Sequence, residues 1–323
     1  MRISWLLLLG CLAAACGGNF SNDDLEFLNA LPAREDLAAK LPGSEGTVSE
    51  GGSRQHAAAL AMGERSSLYE DTRGASDRFN RGLDGLLTLL ENIRERPPTT
   101  RAPDLRVWGP WPDPRHPGHE VRFLMARAAE RFDYRLQYRP RGSDEAAWWT
   151  ALEGTFQANG GLREGEGLVR LLVAETKAHG FDVGGLANLA RLDIGYQTRE
   201  PPIHVRMRFV PASSQSASEL LYAYRELPSG LGEMGFVLED TDVLPGGQKE
   251  KLTILSRWTR DRGGVGLVVV TGGDVPAGYT ATHVECWDAG FRITYRKRSW
   301  ETSVVGDASA CPDVSALGSE ARC

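Results

Sequence analysis

The sequence predicts a mainly β protein, a β-rich α+β fold: a large curved antiparallel meander sheet, or half-barrel, with N-terminal helices packed on it. Three observations predict this. From Leu105 onward, apolar residues recur at every second position, the period at which one face of a strand meets a core. The alternating runs are short and separated by tight Gly-, Pro- and Asp-containing connections, which join neighbours antiparallel. Before Leu105 the apolar residues recur every three to four positions, as along one stripe of a helix.

The N-terminal elements follow in order. In "SNDDLEFLNAL", Ser21 is placed to cap a short helix, with Asp24 three residues on as in a capping box and Leu25, Phe27 and Leu28 for packing. Pro32 interrupts it, and "AREDLAAKL" makes another turn or two. "PGSEGTVSEGGSR", starting at Pro42, is rich in Gly, Ser and Glu and reads as a flexible linker. A weaker helix is expected over 55–71. The strongest helix is expected over 79–96, where Phe79, Leu83, Leu86, Leu87, Leu90 and Ile93 fall on one stripe. Ser76 or Asp77 can cap it. Arg94 and Arg96 meet its negative end, and Pro97-Pro98 stop it.

The strands come next. "HEVRFLMA" puts Val121, Phe123 and Met125 on one face, and "RFDYRLQY" does the same for Phe132, Tyr134, Leu136 and Tyr138. "IHVRMRFV" sets Ile203, Val205, Met207 and Phe209 against His204, Arg206 and Arg208, and "KLTILSRW" aligns Leu252, Ile254 and Trp258. "GVGLVVVT" follows a hairpin-type "RDRGG", and Asp288-Ala289-Gly290 is a tight turn between "THVECW" and "FRITYRK". "GLVRLLVAETKAHG" fits strand or helix equally. About ten to twelve strands are expected. Ten strands make a sheet ~48 Å wide, and one helix is only ~10–12 Å across. The sheet must therefore curl, close into a barrel, or leave an apolar groove open.

The first residues belong to export rather than to the fold. Arg2 precedes an apolar run from Ile3 to Ala15, too short for the ~20 residues of a membrane span and typical of a secretory signal. Cys16, straight after Ala13-Ala14-Ala15, resembles the lipobox of bacterial lipoproteins. The resemblance implies that Cys16 becomes the first mature residue and carries acyl chains. Gly17, where an Asp would hold the protein at the inner membrane, implies the outer membrane. Cys11, in "LLGC", fits the motif letters too, but leaves an apolar run at the short end of the ~7–15 residues of a signal core. A plain secreted protein, with Cys16 an ordinary signal residue, is the remaining alternative. The expected organisation is a signal peptide at 1–15, a lipidated tether at 16–22, a short helix and linker at 23–54, a helical segment at 55–98, a β domain at 105–311 and a tail at 312–323.

Charge and motifs narrow the function. Loss of Arg2 with the signal takes the net charge from −6 to −7, which argues against nucleic acid as a partner. Export permits disulfides. Pairing Cys286 with Cys311 would staple the tail to the sheet; Cys311 with Cys323 is the alternative. The most chemistry-like stretch is "DPRHPGHEVRF", with His116 and His119 three apart and Glu120 next. Pro117-Gly118 between them rules out the helical spacing of a zinc motif, and His56, His179, His204 and His283 are scattered singly. The stretch reads as a turn into a strand starting at His119, with Trp108 and Trp111 packed beside it. No nucleophile elbow, phosphate loop or dinucleotide fingerprint is present. No catalytic residue, metal or cofactor is expected. Arg122, Arg135, Arg206, Arg208 and Arg257 read as a solvated face with cross-strand ion pairs.

The C-terminal half, from "VWGPWPD" through Cys286, Trp287, Asp288, Phe291, Tyr295, Trp300, Gly306, Asp307 and Cys311, resembles a family of uncharacterised exported lipoproteins. The resemblance implies no activity. Two functional expectations remain. One is a non-enzymatic outer-membrane lipoprotein holding a lipid or other apolar ligand on the inner face of the sheet, at Val121, Phe123, Tyr134, Val205, Met207, Phe209, Ile254 and Trp258. It carries a fold-class likeness to the half-barrels of lipoprotein carriers. The other is a structural or protein-interaction envelope lipoprotein with a filled core. A hydrolase is the third. The first two differ in whether those inward residues line a cavity.

Overall fold

The computed structural model describes residues 20–43, 62–161, 163–213 and 220–318. The signal segment, Cys11, Cys16, residues 44–61 of the linker region and Cys323 lie outside the described residues. The helices are α1 (Asn22–Asn29), α2 (Arg34–Leu37), α3 (Ser67–Arg94) and α4 (Val173–Ala178). The first half of the sheet is β1 (Thr100–Ala102), β2 (Leu105–Pro112), β3 (His119–Ala128), β4 (Arg131–Pro140), β5 (Trp149–Ala158), β6 (Gly165–Leu171), β7 (Leu189–Gln197) and β8 (Ile203–Pro211). The second half is β9 (Leu220–Glu226), β10 (Gly232–Thr241), β11 (Glu250–Thr259), β12 (Gly263–Thr271), β13 (Ala281–Trp287), β14 (Ile293–Arg298) and β15 (Val304–Gly306).

All fifteen strands form one sheet in sequence order, each antiparallel to its neighbours, and the sheet does not close. The expectation of ten to twelve strands was low; strands as short as three-residue β1 and β15 show no period. The ambiguous "GLVRLLVAETKAHG" is both, strand to Leu171 and helix from Val173. The short outer strands also leave little unpaired backbone at either edge. In a meander the connections alternate between the two ends of the strands. The β1–β2, β3–β4, β5–β6 and β9–β10 turns therefore share one rim, here the near rim. The β2–β3, β6–β7 and β12–β13 connections share the far rim.

Helix α3 crosses the concave face. It starts at β13, where Ser66 beside it bonds Glu285, and ends at β2, where the Arg96 carbonyl accepts from Trp108 Nε1 (2.8 Å). Those strands are eleven spacings apart, ~53 Å along the sheet. The 28-residue helix covers only ~42 Å, so the sheet must curl around it. The helix is longer than expected. It starts at Ser67 and is capped by Ser66, whose hydroxyl accepts from the Tyr69 N–H (3.0 Å), not by Ser76 or Asp77. Of the weaker helix expected over 55–71, residues 62–66 are not helical and 67–71 are the first turn of α3. Its unbroken run through 72–78 was missed because the buried residues there include Thr72, Ala75 and Ser76, small or polar groups that hide the stripe.

Residues 20–43 form a strap along the near rim. Its capping box is the expected one, with Asp24 N–H donating to Ser21 (3.1 Å) and Ser21 N–H to Asp24 (2.9 Å). Further on, Asp36 and Glu35 pair with Arg163 in the β5–β6 turn (2.9 and 3.1 Å). The Lys40 N–H donates to the Tyr224 hydroxyl of β9 (3.0 Å), and the Tyr69 hydroxyl donates to the Pro42 carbonyl (2.9 Å). On the convex face, Cys286 and Cys311 form a disulfide. It staples the tail across β13, and Arg257 of β11 then donates to the Gly318 carbonyl (3.2 Å).

Candidate functional site

The inward face is the first candidate. Val205, Met207 and Ile254 have no accessible surface, and Phe123, Tyr134 and Trp258 have 1%. Val121 and Phe209 are half-buried and pack on the same core. The structure thus brings all eight residues to one side of the sheet. Large rings fit there because glycines lie beside them. Trp258 pairs across β10 with Gly232, whose Cβ would lie 2.5 Å from the ring. Tyr134 lies over Gly154 and Tyr196 over Gly167, where a Cβ would come within 2.2 and 2.1 Å. Rings laid over glycines of the next strand are a device by which sheets curve without losing packing.

Helix α3 and the strap fill what the sheet encloses. Phe79 meets the Tyr224 ring at 6.3 Å, and Gly82 faces Met207. Thr72 and Ser256 share a hydroxyl hydrogen bond of 2.5 Å. Phe27 of α1 stands edge-on to Phe132. A side chain with no accessible surface cannot border a void that admits water, so no ligand-sized cavity touches Val205, Met207 or Ile254. One cavity of about 30 Å³ lies between Leu41, Tyr69, Trp258, Trp287 and Phe291. Another of about 20 Å³ lies between Ser67, Asp71, His283, Arg298 and Trp300. Each has room for ~2 waters.

Buried charges hold this filling in place. Glu285 has no accessible surface and accepts from Ser66 Oγ (2.5 Å) and the Leu68 N–H (3.2 Å) at the start of α3, where the helix dipole favours a negative charge. Burial works against its charge, but His283 and Ser66 outweigh it and hold the carboxyl low. Burial lowers the pKa of His283 itself. At the near rim, Asp24 is fully buried and bonds Arg106 (2.6 Å) and Arg101 (3.0 Å). Burial opposes its ionisation, yet the Ser21 N–H and both guanidinium groups together bring its carboxyl down to about 2. Partners some eighty residues apart carry no sequence signal.

The histidine stretch is a far-rim clamp. Strand β3 begins at His119, as expected. Trp108 and Trp111 do not pack on the histidines. Trp108 turns inward against Phe123, and the Arg96 guanidinium sits over Trp111. Phe181, from the β6–β7 connection, takes their place because α4 carries it over this rim. Its ring stacks on His116 at 3.7 Å and meets His119, Tyr138 and Trp149 within 5.0 Å. His179 stacks on Trp149 at 4.2 Å. His116 also bonds Asp113 (2.6 Å); burial raises that carboxyl, but His116 and the Arg115 N–H together outweigh it and the net shift is down. Burial pushes the Tyr138 hydroxyl up to about 12. Among the described residues, no group of three or more His, Cys, Asp or Glu is arranged to hold a metal. Sequence reasoning missed Phe181 and His179; an aromatic residue in a Gly-rich connection was the signal available.

On the convex face, Arg122 bonds Gln137 (3.0 Å) and Glu145 (2.9 Å) and covers Trp148 at 4.1 Å. Arg257 pairs with Glu233 (2.6 Å). Arg135 and Arg206 are exposed. The fold and face together define a class: an open, curled antiparallel sheet wrapped around its own helix. Comparison with protein-family models, with curated proteins and with solved structures found no match.

Proposed function

We propose that this chain is an exported lipoprotein, held to the outer membrane through acylated Cys16, whose β domain is a non-enzymatic envelope module with a filled core. It acts through its surface and not by carrying a ligand. The observation behind this reading is the absence of accessible surface on Val205, Met207 and Ile254, the centre of the face expected to hold an apolar molecule. Wild-type chain labelled with palmitate in its host should carry the label and sediment with outer membranes. The Cys16→Ser chain should do neither; label retained by that variant would move the anchor, with Cys11 next to test.

One observation favours a second reading. The strap is a separate element whose apolar residues, Phe27, Leu28, Leu31, Leu37 and Leu41, are at most 6% exposed. A lipid acyl chain is the kind of ligand that could replace them if the strap left the rim. Bound lipid in purified protein would favour this reading over the first.

A further inference from the structure

The near rim is tied to the anchor by very little chain. Phe20 is already part of the folded body and packs on the core. Only residues 17–19 separate it from Cys16, and four peptide steps span at most ~14 Å at full extension. The polar headgroup layer of one leaflet is itself ~5–8 Å deep. A body held this closely cannot place an arbitrary side toward the lipid.

The side it must place there is the outer surface of α1. Asp24, Phe27 and Leu28 point into the protein. Leu25 lies on the flank, ~100° around the helix from that stripe, is 47% exposed, and is the large apolar residue that α1 turns to solvent, beside the exposed Asp23 and Glu26. Beside it lie the β1–β2 and β3–β4 turns, brought there by the Arg101, Arg106 and Arg127 pairs with α1. We propose that the near rim is a bilayer-docking surface: the α1 face, with Leu25 as its apolar contact, rests on the leaflet that carries the anchor. The β6–β7 and β12–β13 connections then stand away from the membrane. Strands of ten residues, as in β3, β4 and β11, put the far rim ~34 Å further out. This proposal rests on acylation of Cys16.

The test uses full-length, acylated protein in phosphatidylethanolamine–phosphatidylglycerol vesicles. Cys323→Ser leaves the disulfide and the anchor as the remaining mature cysteines. Leu25→Cys and, separately, Tyr279→Cys are labelled with a nitroxide; both positions are exposed, at 47% and 73%, so neither substitution disturbs the core. Accessibility to a water-soluble nickel chelate is compared with that of the same labelled chains carrying Cys16→Ser. Anchoring should cause loss of accessibility at position 25 and no change at 279. Acylated protein with unchanged accessibility at 25, or with loss at 279, would overturn the docking surface and leave the lipoprotein reading intact. Wild-type protein that carries no acyl mass in its host envelope would overturn the lipoprotein reading, and this proposal with it.

Discussion

Asp24 shows how one residue ties several parts of the chain. It closes the α1 capping box, and it neutralises Arg106, whose side chain is 4% exposed. Removing one partner of a buried pair leaves the other charge without compensation. Asp24→Ala should therefore cost ~3 kcal/mol in denaturant unfolding; a loss within error would mean that Arg106 finds water. The pH dependence has a fixed sign. The folded carboxyl, at about 2, lies below its ordinary value of 3.8. Its stabilisation is present above that ordinary value and is lost as pH falls toward about 2, and urea midpoints below pH 4 should fall further in the wild type than in Asp24→Ala, where Glu285 and Asp113 still titrate. The glycines are the other residue-scale constraint. A Cβ on Gly264 would lie 2.4 Å from the Trp287 ring and 2.5 Å from the Arg257 carbonyl. Gly264→Ala should destabilise by ~1–3 kcal/mol and shift the fluorescence of Trp287. The Ser21–Asp24 box was legible because its two residues are three apart. Arg101 and Arg106 were not, because their pairing depends on how the strap folds back over the sheet.

Among the elements, α3 and the stapled tail decide the shape. The C-terminal half of α3 was legible from its leucine stripe. Its N-terminal half was not, because the buried groups there include Thr72, Ala75 and Ser76, of which Thr72 bonds Ser256 of the sheet. Packing overrode hydrophobic periodicity at that end. The Cys286–Cys311 pairing was legible from a strand cysteine and a tail cysteine, 25 residues apart. Closing a loop of that length stabilises by about 3.5 kcal/mol in the chain-entropy account. Cys286→Ser with Cys311→Ser should lower stability by about that amount and raise hydrogen exchange in 307–318. The far-rim clamp gives a second test at this scale. Phe181→Ala removes a ring that is 7% exposed and should cost ~3 kcal/mol. Exchange should rise in 173–188 and not in α3; protection spread evenly over the protein would show that the clamp is not a local unit.

For the whole molecule, the period-two pattern was enough to give an antiparallel meander, and sheet width against helix width left curling, closure or an open groove; the structure curls and does not close. What fills the curl was not legible. The outcome turns on α3 being twelve residues longer at its start than its stripe suggested, and on a strap joined to the near rim by ion pairs. Together they occupy the concave face, so that Val205, Met207 and Ile254 meet protein on every side. With the interior taken, the proposed envelope role falls to the outer surfaces, with the near rim as the proposed bilayer-docking side.

The chain itself fills the interior of the sheet. Native mass spectrometry of the Cys16→Ser protein, purified from an oxidising periplasm without detergent, should give a single bare mass, with the disulfide closed and nothing recovered by organic extraction. Extra mass that extracts into solvent, at one equivalent per chain, would mean that the interior holds an apolar ligand after all.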